Sequence, residues 1–175
     1  MNVTMPAKKD ADGQWTDWRY CCAARPLNAA TKPNRFGPPT PEQLFQHIGD
    51  VKWLSKMECR AAFNQIPLAE ADQNKTSFWW GGKLWKYTWN LYRLRNATGQ
   101  FQMIVNHELR RCKLDHCAMA YVNEFSRPLV SSISGTARLS SLCLWQCGLK
   151  LHPKKTIIAA EEVEFLGHLV FTQGL

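Results

Sequence analysis

Two polar residues sit side by side in an apolar run: Asn123 and Glu124, within Cys117-Ala118-Met119-Ala120-Tyr121-Val122-Asn123-Glu124-Phe125-Ser126. The flanks alternate as strands do, and the pair interrupts them where a tight turn would, since Asn tolerates the positive φ of a hairpin tip. The pattern predicts strand, turn, strand, with Asn123 and Glu124 at the tip. Taken alone, it is a surface hairpin with a polar turn. A third such side chain, Glu58, closes Val51-Lys52-Trp53-Leu54-Ser55-Lys56-Met57-Glu58, a strand entering the core ahead of a tight helical turn over Arg60 to Ile66. A carboxylate at a strand end is expected to form a salt bridge. Lys9 and Arg19 could serve phosphate oxygens, one as a point charge and one as a fork. Plain exposed charges are the alternative. His107, Cys112, His116 and Cys117 are zinc-type ligands whose spacing matches no standard pattern, so buried thiols are expected.

The elements that must position these residues can be read from caps and breakers. Asp12-Gly13 is a hairpin signal, followed by the aromatic and small apolar stretch Trp15 to Ala24, so a two-stranded ribbon is predicted. Asn28 to Pro41 holds four prolines and a glycine and reads as an irregular connection. Thr40-Pro41-Glu42-Gln43 has the form of a capping box, opening a short helix through Leu44, Phe45 and Ile48 that Gly49 ends. Lys75 to Trp80 and Leu84 to Trp89 flank Gly81-Gly82-Lys83 as a hairpin. Its aromatics could stack on bases, but sheet packing is the expected role. Phe101, Ile104, Val105 and Leu109 recur at helical spacing, which predicts a helix from about Ala97 to Cys112 with one core face. Leu139, Leu142 and Cys143 suggest another helix, and the chain closes with a terminal hairpin in which Lys154-Lys155 is a solvated pair.

The totals bound the class. The 175 residues suit one domain or two small lobes, and 45% hydrophobic content with 8 Trp and 8 Phe can fill a core. Lys and Arg number 22 against 14 Asp and Glu, a formal charge of +8 that favours an anionic partner, nucleic acid being the commonest. Seven cysteines without framework spacing, and Met1 to Lys9 without an apolar signal core, suggest an intracellular, reduced chain in cytoplasm, nucleus or organelle. No window approaches a membrane span, so no membrane partner is expected.

Several of these stretches resemble, in order and spacing, the reverse transcriptases of gypsy-type retroelements. The Tyr121 to Glu124 run is similar to that family's Tyr-Val-Asp-Asp hairpin. Lys8-Lys9-Asp10, Trp18-Arg19-Tyr20-Cys21 and Arg25-Pro26-Leu27-Asn28 resemble its fingers hairpin, with Ala23 standing where the family has an aspartate. The stretch from Leu54 to Ile66 resembles Phe-Ser-Lys-Leu-Asp-Leu-Arg-x-Gly-Tyr-His-Gln-Ile. Asn90 to Gln102 is similar to Met-Pro-Phe-Gly-Leu-x-Asn-Ala-x-x-x-Phe-Gln, with Tyr92-Arg93 in place of Phe-Gly. Val163 to Val170 resembles the Phe-Leu-Gly-His hairpin.

The resemblance implies an α+β fold of fingers and palm, an antiparallel palm sheet with helices packed on one face, and no thumb within the chain. It places residues 1–50 and 74–96 in the fingers and 51–73 and 97–175 in the palm, one continuous domain over 3–175. By analogy Glu58, Asn123 and Glu124 occupy the catalytic positions, with Glu58 and Glu124 left as weak ligands for Mg2+. Lys9 and Arg19 would face a nucleotide triphosphate, Phe63 would be the gate against a ribose hydroxyl, and Tyr92 would line the pocket. Phe165, Leu166, Gly167 and His168 would form the primer grip on an RNA or DNA template-primer. Glu, Asn and Glu replace three aspartates, so RNA-directed DNA polymerase activity is expected near background. The alternatives are a repurposed RNA- or protein-binding module, within a larger assembly, and a decayed reading frame that does not fold.

Overall fold

The computed structural model of the chain describes residues 2–9, 13–18, 21–46, 51–129 and 146–172. Along the sequence run β1 (Asn2–Thr4), β2 (Ala7–Lys9), β3 (Trp15–Trp18), β4 (Cys21–Ala23), α1 (Arg25–Ala30), α2 (Pro41–Phe45), β5 (Trp53–Glu58), α3 (Glu70–Gln73), β6 (Phe78–Trp80) and β7 (Lys83–Trp85). There follow α4 (Ala97–Arg111), β8 (Met119–Tyr121), β9 (Glu124–Leu129), β10 (Ile157–Ala160), β11 (Glu162–Phe165) and β12 (His168–Phe171). They gather into two compact units, Met1–Asn34 with Ile66–Ala97 and Arg35–Gln65 with Thr98–Leu175.

The first unit is built from small antiparallel ladders: β1 on β4, β2 on β3 and β6 on β7. The predicted ribbon is β2–β3, and the first strand adds a second ladder on β4. The irregular connection starts later than predicted, because α1 carries the chain to Ala30; Pro26 lies in its first turn, where a fixed φ suits a helix. The Asn28 amide donates from Nδ2 to the Arg93 carbonyl at 2.8 Å, and its Oδ1 accepts from the Arg95 N–H at 2.8 Å. This clamp holds Arg93 at φ +72°, a left-handed conformation that costs a residue with a Cβ about 1–2 kcal/mol.

The β6–β7 hairpin closes on Gly81 and Gly82, both at positive φ, as the two-residue turn requires. Its expected role as packed sheet does not hold. Phe78 is buried and its ring lies 5.1 Å from that of Tyr87, but Trp79, Trp80, Leu84 and Trp85 are exposed. Among the described residues the ladder is two strands of three residues each, too small to bury its own rings.

The second unit is organised on a four-stranded antiparallel sheet in the order β10-β5-β9-β8. β5 is buried at Leu54, Ser55 and Met57, which a strand covered on both faces explains. Leu54 joins Leu44, Val51, Val163, Phe165 and Val170 in one core cluster. Thr40 caps α2 with both bonds of the predicted capping box present, although the helix is defined only to Phe45 and the predicted continuation to Ile48 falls outside the described residues. The predicted helix at Leu139, Leu142 and Cys143 also lies outside them. The α4 helix matches its predicted span to within a residue and buries Phe101, Val105 and Leu109, whereas Ile104, expected on the same face, lies at its edge and is exposed. Gly99 in its first turn is required: a Cβ there would sit 2.5 Å from the Phe36 carbonyl oxygen.

Gln102 fixes the sheet to this helix. Its buried amide donates to the Ala120 carbonyl at 2.8 Å and accepts from the Val122 N–H at 2.7 Å. Cys112, just past the helix, is disulfide-bonded, a departure from the expectation of reduced thiols throughout; pairing follows from tertiary approach, which spacing does not reveal. Cys21, Cys22, Cys59, Cys117 and Cys147 remain thiols. Among the described residues no helix is long and apolar enough to cross a membrane.

Replacing Gln102 by Ala strands a buried acceptor and a partly buried donor, so Gln102→Ala should cost about 2–4 kcal/mol in urea unfolding. A loss below half a kilocalorie would mean that the amide does not hold the hairpin.

Candidate functional site

The register of the sheet sets two carboxylates face to face. Glu58, the last residue of β5, pairs directly with Glu124, the first of β9, and Glu124 pairs on its other side with Tyr121. Like charges opposite one another on an antiparallel pair are destabilising, so each needs a counter-charge. Lys155 Nζ lies 2.8 Å from Glu58 Oε1, and Lys56 Nζ lies 3.5 Å from Glu124 Oε2. Lys56 also donates to the Glu164 carbonyl at 2.7 Å, which aims its ammonium along the sheet. The Glu124 contact is ionic only: Oε2 is buried and has no hydrogen-bond partner among the described residues.

The tip of the hairpin differs from the prediction. The two central residues are Val122 and Asn123, and Glu124 already belongs to the returning strand. Positive φ falls on Val122, at +52°, and not on Asn123. A positive φ at the first central position characterises a type II′ turn, usually a place for glycine. A β-branched residue there is strained, and the bond from its N–H to Gln102 helps to hold it. Asn123 turns its Nδ2 toward Glu58 Oε1, at 3.5 Å, and its carbonyl accepts from the Cys59 N–H at 2.8 Å.

Glu58 is fixed from the other side by the segment after Gly148. Its carbonyl accepts from the His152 N–H at 2.7 Å, and Cys59 forms a bridge with Leu151. Gln65 holds that segment by donating from Nε2 to the Lys150 carbonyl and accepting from the Lys150 N–H. The 3-10 turn Pro153–Lys155 then brings Lys155 over Glu58, so Lys154-Lys155 is not simply the solvated pair expected. The adjoining Cys59 thiol is pushed up to about 12 by burial, with the Glu58 charge adding to the effect, and is inert.

The other residues singled out by sequence are distributed between the units. In the second, Phe63 is half-buried, with its ring edge-on to Phe101 at 6.0 Å. Phe165 is buried, Leu166 and Gly167 form a turn with both φ positive, and the exposed His168 ring lies 5.1 Å from Phe45. In the first, Lys9 Nζ stands 4.6 Å from the centre of the Trp15 ring. Tyr92 is exposed, with the Arg93 guanidinium 5.8 Å from its ring. Arg19 lies outside the described residues. Sequence reasoning missed Lys56, Lys155, Gln65 and Gln102. Lys56 could have been found, since it precedes Glu58 by two and therefore shares its face of the strand.

No family model matches the chain. In sequence it is 29% identical over 176 residues to the retrovirus-related Pol polyprotein from transposon 297 of Drosophila melanogaster, over 98% of this chain and 16% of that one. The polyprotein from transposon gypsy of the same organism is 27% identical over 152 residues, covering 86% of this chain and 15% of its own length. The chain therefore spans less than a fifth of these relatives. Among solved structures, the foamy viral protease-reverse transcriptase in complex with double-stranded DNA superposes with a TM-score of 0.79, at 21% identity, over 99% of this chain and 30% of that one. The fold is that of a reverse transcriptase. In sequence this reverse-transcriptase-like domain resembles the gypsy-type retroelements, as its motifs suggested.

Two outcomes test the cluster. Lys155→Met should destabilise by about 1–2 kcal/mol, between an exposed and a buried pair, and adding Glu58→Gln should recover part of that loss in a double-mutant cycle. Additive losses would show that the two side chains are not coupled. The raised thiol of Cys59 also favours the folded state only while it stays protonated. The unfolded chain releases that proton first, near pH 9, so stability should fall from there toward pH 12. The urea midpoint should therefore drop less between pH 8 and 10.5 in Cys59→Ala than in the parent; equal slopes would refute the assignment.

Proposed function

We propose that this chain is the fingers and palm of a retroelement reverse transcriptase whose polymerase site is impaired. Residues 1–50 and 74–96 are the fingers and residues 51–73 and 97–175 the palm, bounds that depart from those of the two compact units over 35–50 and 66–73. Glu58, Asn123 and Glu124 take the three catalytic positions, Phe63 the gate, and Phe165, Leu166, Gly167 and His168 the primer grip. Lys9, Arg19 and Tyr92 take the nucleotide-side positions, and an RNA or DNA template-primer is the ancestral partner.

The observation that carries this reading is the engagement of both carboxylates by lysines of the same chain. Phosphoryl transfer by paired cations needs hard, anionic oxygens around two ions about 3.5–4 Å apart. Here Glu58 faces Lys155, Glu124 lies near Lys56, and the third position offers an amide that turns its nitrogen to Glu58. Among the described residues no three His, Cys, Asp or Glu side chains gather as a metal site. The residues present do not fit a pair of Mg2+ ions. Each ammonium would have to be displaced, and the amide adds no charge to offset the dications.

Primer extension with Mg2+ or Mn2+ tests the proposal. Incorporation should stay within about tenfold of a no-enzyme control, and Asn123→Asp with Glu124→Asp should raise it by 10²-fold or more, the scale on which misplaced catalytic groups act. Robust extension by the unmodified chain, abolished by Glu58→Ala, would overturn it.

A further inference from the structure

One edge of the second unit's sheet carries an uncovered apolar step between opposite charges. Among the described residues β10 is an edge strand, paired only with β5, and its Ile157 and Ile158 are 43% and 54% exposed. Alternation would turn one of two successive strand residues inward. A bulge between Ile157 and Ala160 changes that: Ala159 sits at φ +56° with its N–H bonded to Ser55 Oγ at 3.1 Å, and both isoleucines stay outside. Lys154 and Lys155 precede the pair, and Glu161 and Glu162 follow it. Lys155 is held by Glu58. Lys154, Glu161 and Glu162 are exposed and form no ion pair among the described residues.

We infer that β10 is the contact through which two copies of this chain associate, about a two-fold axis at Ile158. When identical strands meet antiparallel, each residue faces the one equally far on the other side of the axis. About Ile158 that rule sets Lys154 of one copy toward Glu162 of the other, and Lys155 toward Glu161, at both ends of the contact. Thr156, Ile157, Ala159 and Ala160 fall between them and carry no charge. An edge bearing charges of one sign keeps copies apart, whereas opposite signs at its two ends draw a second copy into register. The same charges select against nucleic acid, because a phosphate backbone laid along the strand would meet Glu161 and Glu162 and be repelled. The bulge interrupts the edge, so the contact rests on side chains, stays small and closes at two copies instead of extending as a sheet. It leaves the Lys155 bond to Glu58 in place and does not depend on the chain's being an impaired polymerase.

The test is sedimentation velocity of the full chain from about 1 to 100 µM, the range in which small interfaces associate. The parent should pass from monomer to dimer with no larger species. Ile157→Thr with Ile158→Thr should weaken the dimer about tenfold or more. Lys154→Glu and Glu162→Lys each set like charges against one another at both ends, and each alone should weaken it about tenfold, whereas the two together should recover most of the loss. This exchange decides the matter if the threonine pair fails to melt cooperatively. Under mild oxidation Ile158→Cys should yield a disulfide-linked dimer well before Ile157→Cys does, because only a residue on the axis meets itself. A parent that stays monomeric at the highest concentration overturns the inference, whether or not the strand binds oligonucleotide. So does a dimer unmoved by the threonine pair, a double exchange no tighter than the single ones, or equal linking of the two cysteine variants. Primer extension remains a separate readout, so failure here leaves the catalytic proposal standing, and the reverse.

Discussion

The antiparallel register between β5 and β9 imposes the constraint on which the second unit turns, because it seats Glu58 directly across from Glu124. Two carboxylates so placed repel, and the repulsion strengthens as water is excluded. Any chain with this register must bring positive charge to that end of the sheet. Here the charge comes from within: Lys56 reaches along its own strand, and Lys155 arrives on the segment after Gly148. Much of the surrounding backbone is arranged accordingly, with Gln65 holding Lys150, Glu58 accepting from His152, and Cys59 bonding to Asn123.

The hairpin opposite is less relaxed than its sequence suggests. Val122 occupies a conformation that glycine would take at little cost, and the Gln102 amide bonds the backbone on both sides of Tyr121. Helix α4 thus does more than cover the sheet: through one buried amide it sets where Asn123 and Glu124 stand relative to Glu58. Because Gln102 is fully buried, water cannot replace those bonds if the helix shifts.

Much of the fold could be read from residue order. The capping box at Thr40, the helical spacing of Phe101, Val105 and Leu109, and the Gly81-Gly82 turn each act through local geometry, and each stands where expected. What could not be read was set by distance in space. Nothing near Lys155 announces that it meets Glu58, 97 positions away. The helix over Arg25–Ala30 was hidden by the prolines that follow it, and the positive φ at the tip settled on Val122 although Asn123 is the residue type that tolerates it. Aromatic strands usually pack, so residue order points the hairpin tryptophans inward; their exposure is set by what the rest of the fold brings over them, which residue order does not carry.

Arg93 stands where the similar motif carries glycine, yet its backbone remains at φ +72°, kept there by Asn28 and its bonds to the flanking peptides. The main chain adopts the conformation that a glycine would take without strain, while the side chain is a long cation. Glycine at this position would remove the steric cost of a Cβ at positive φ and leave the Asn28 bonds to the backbone in place. The cost of the left-handed backbone is thus met by hydrogen bonds from a distant asparagine and not by the residue that bears it.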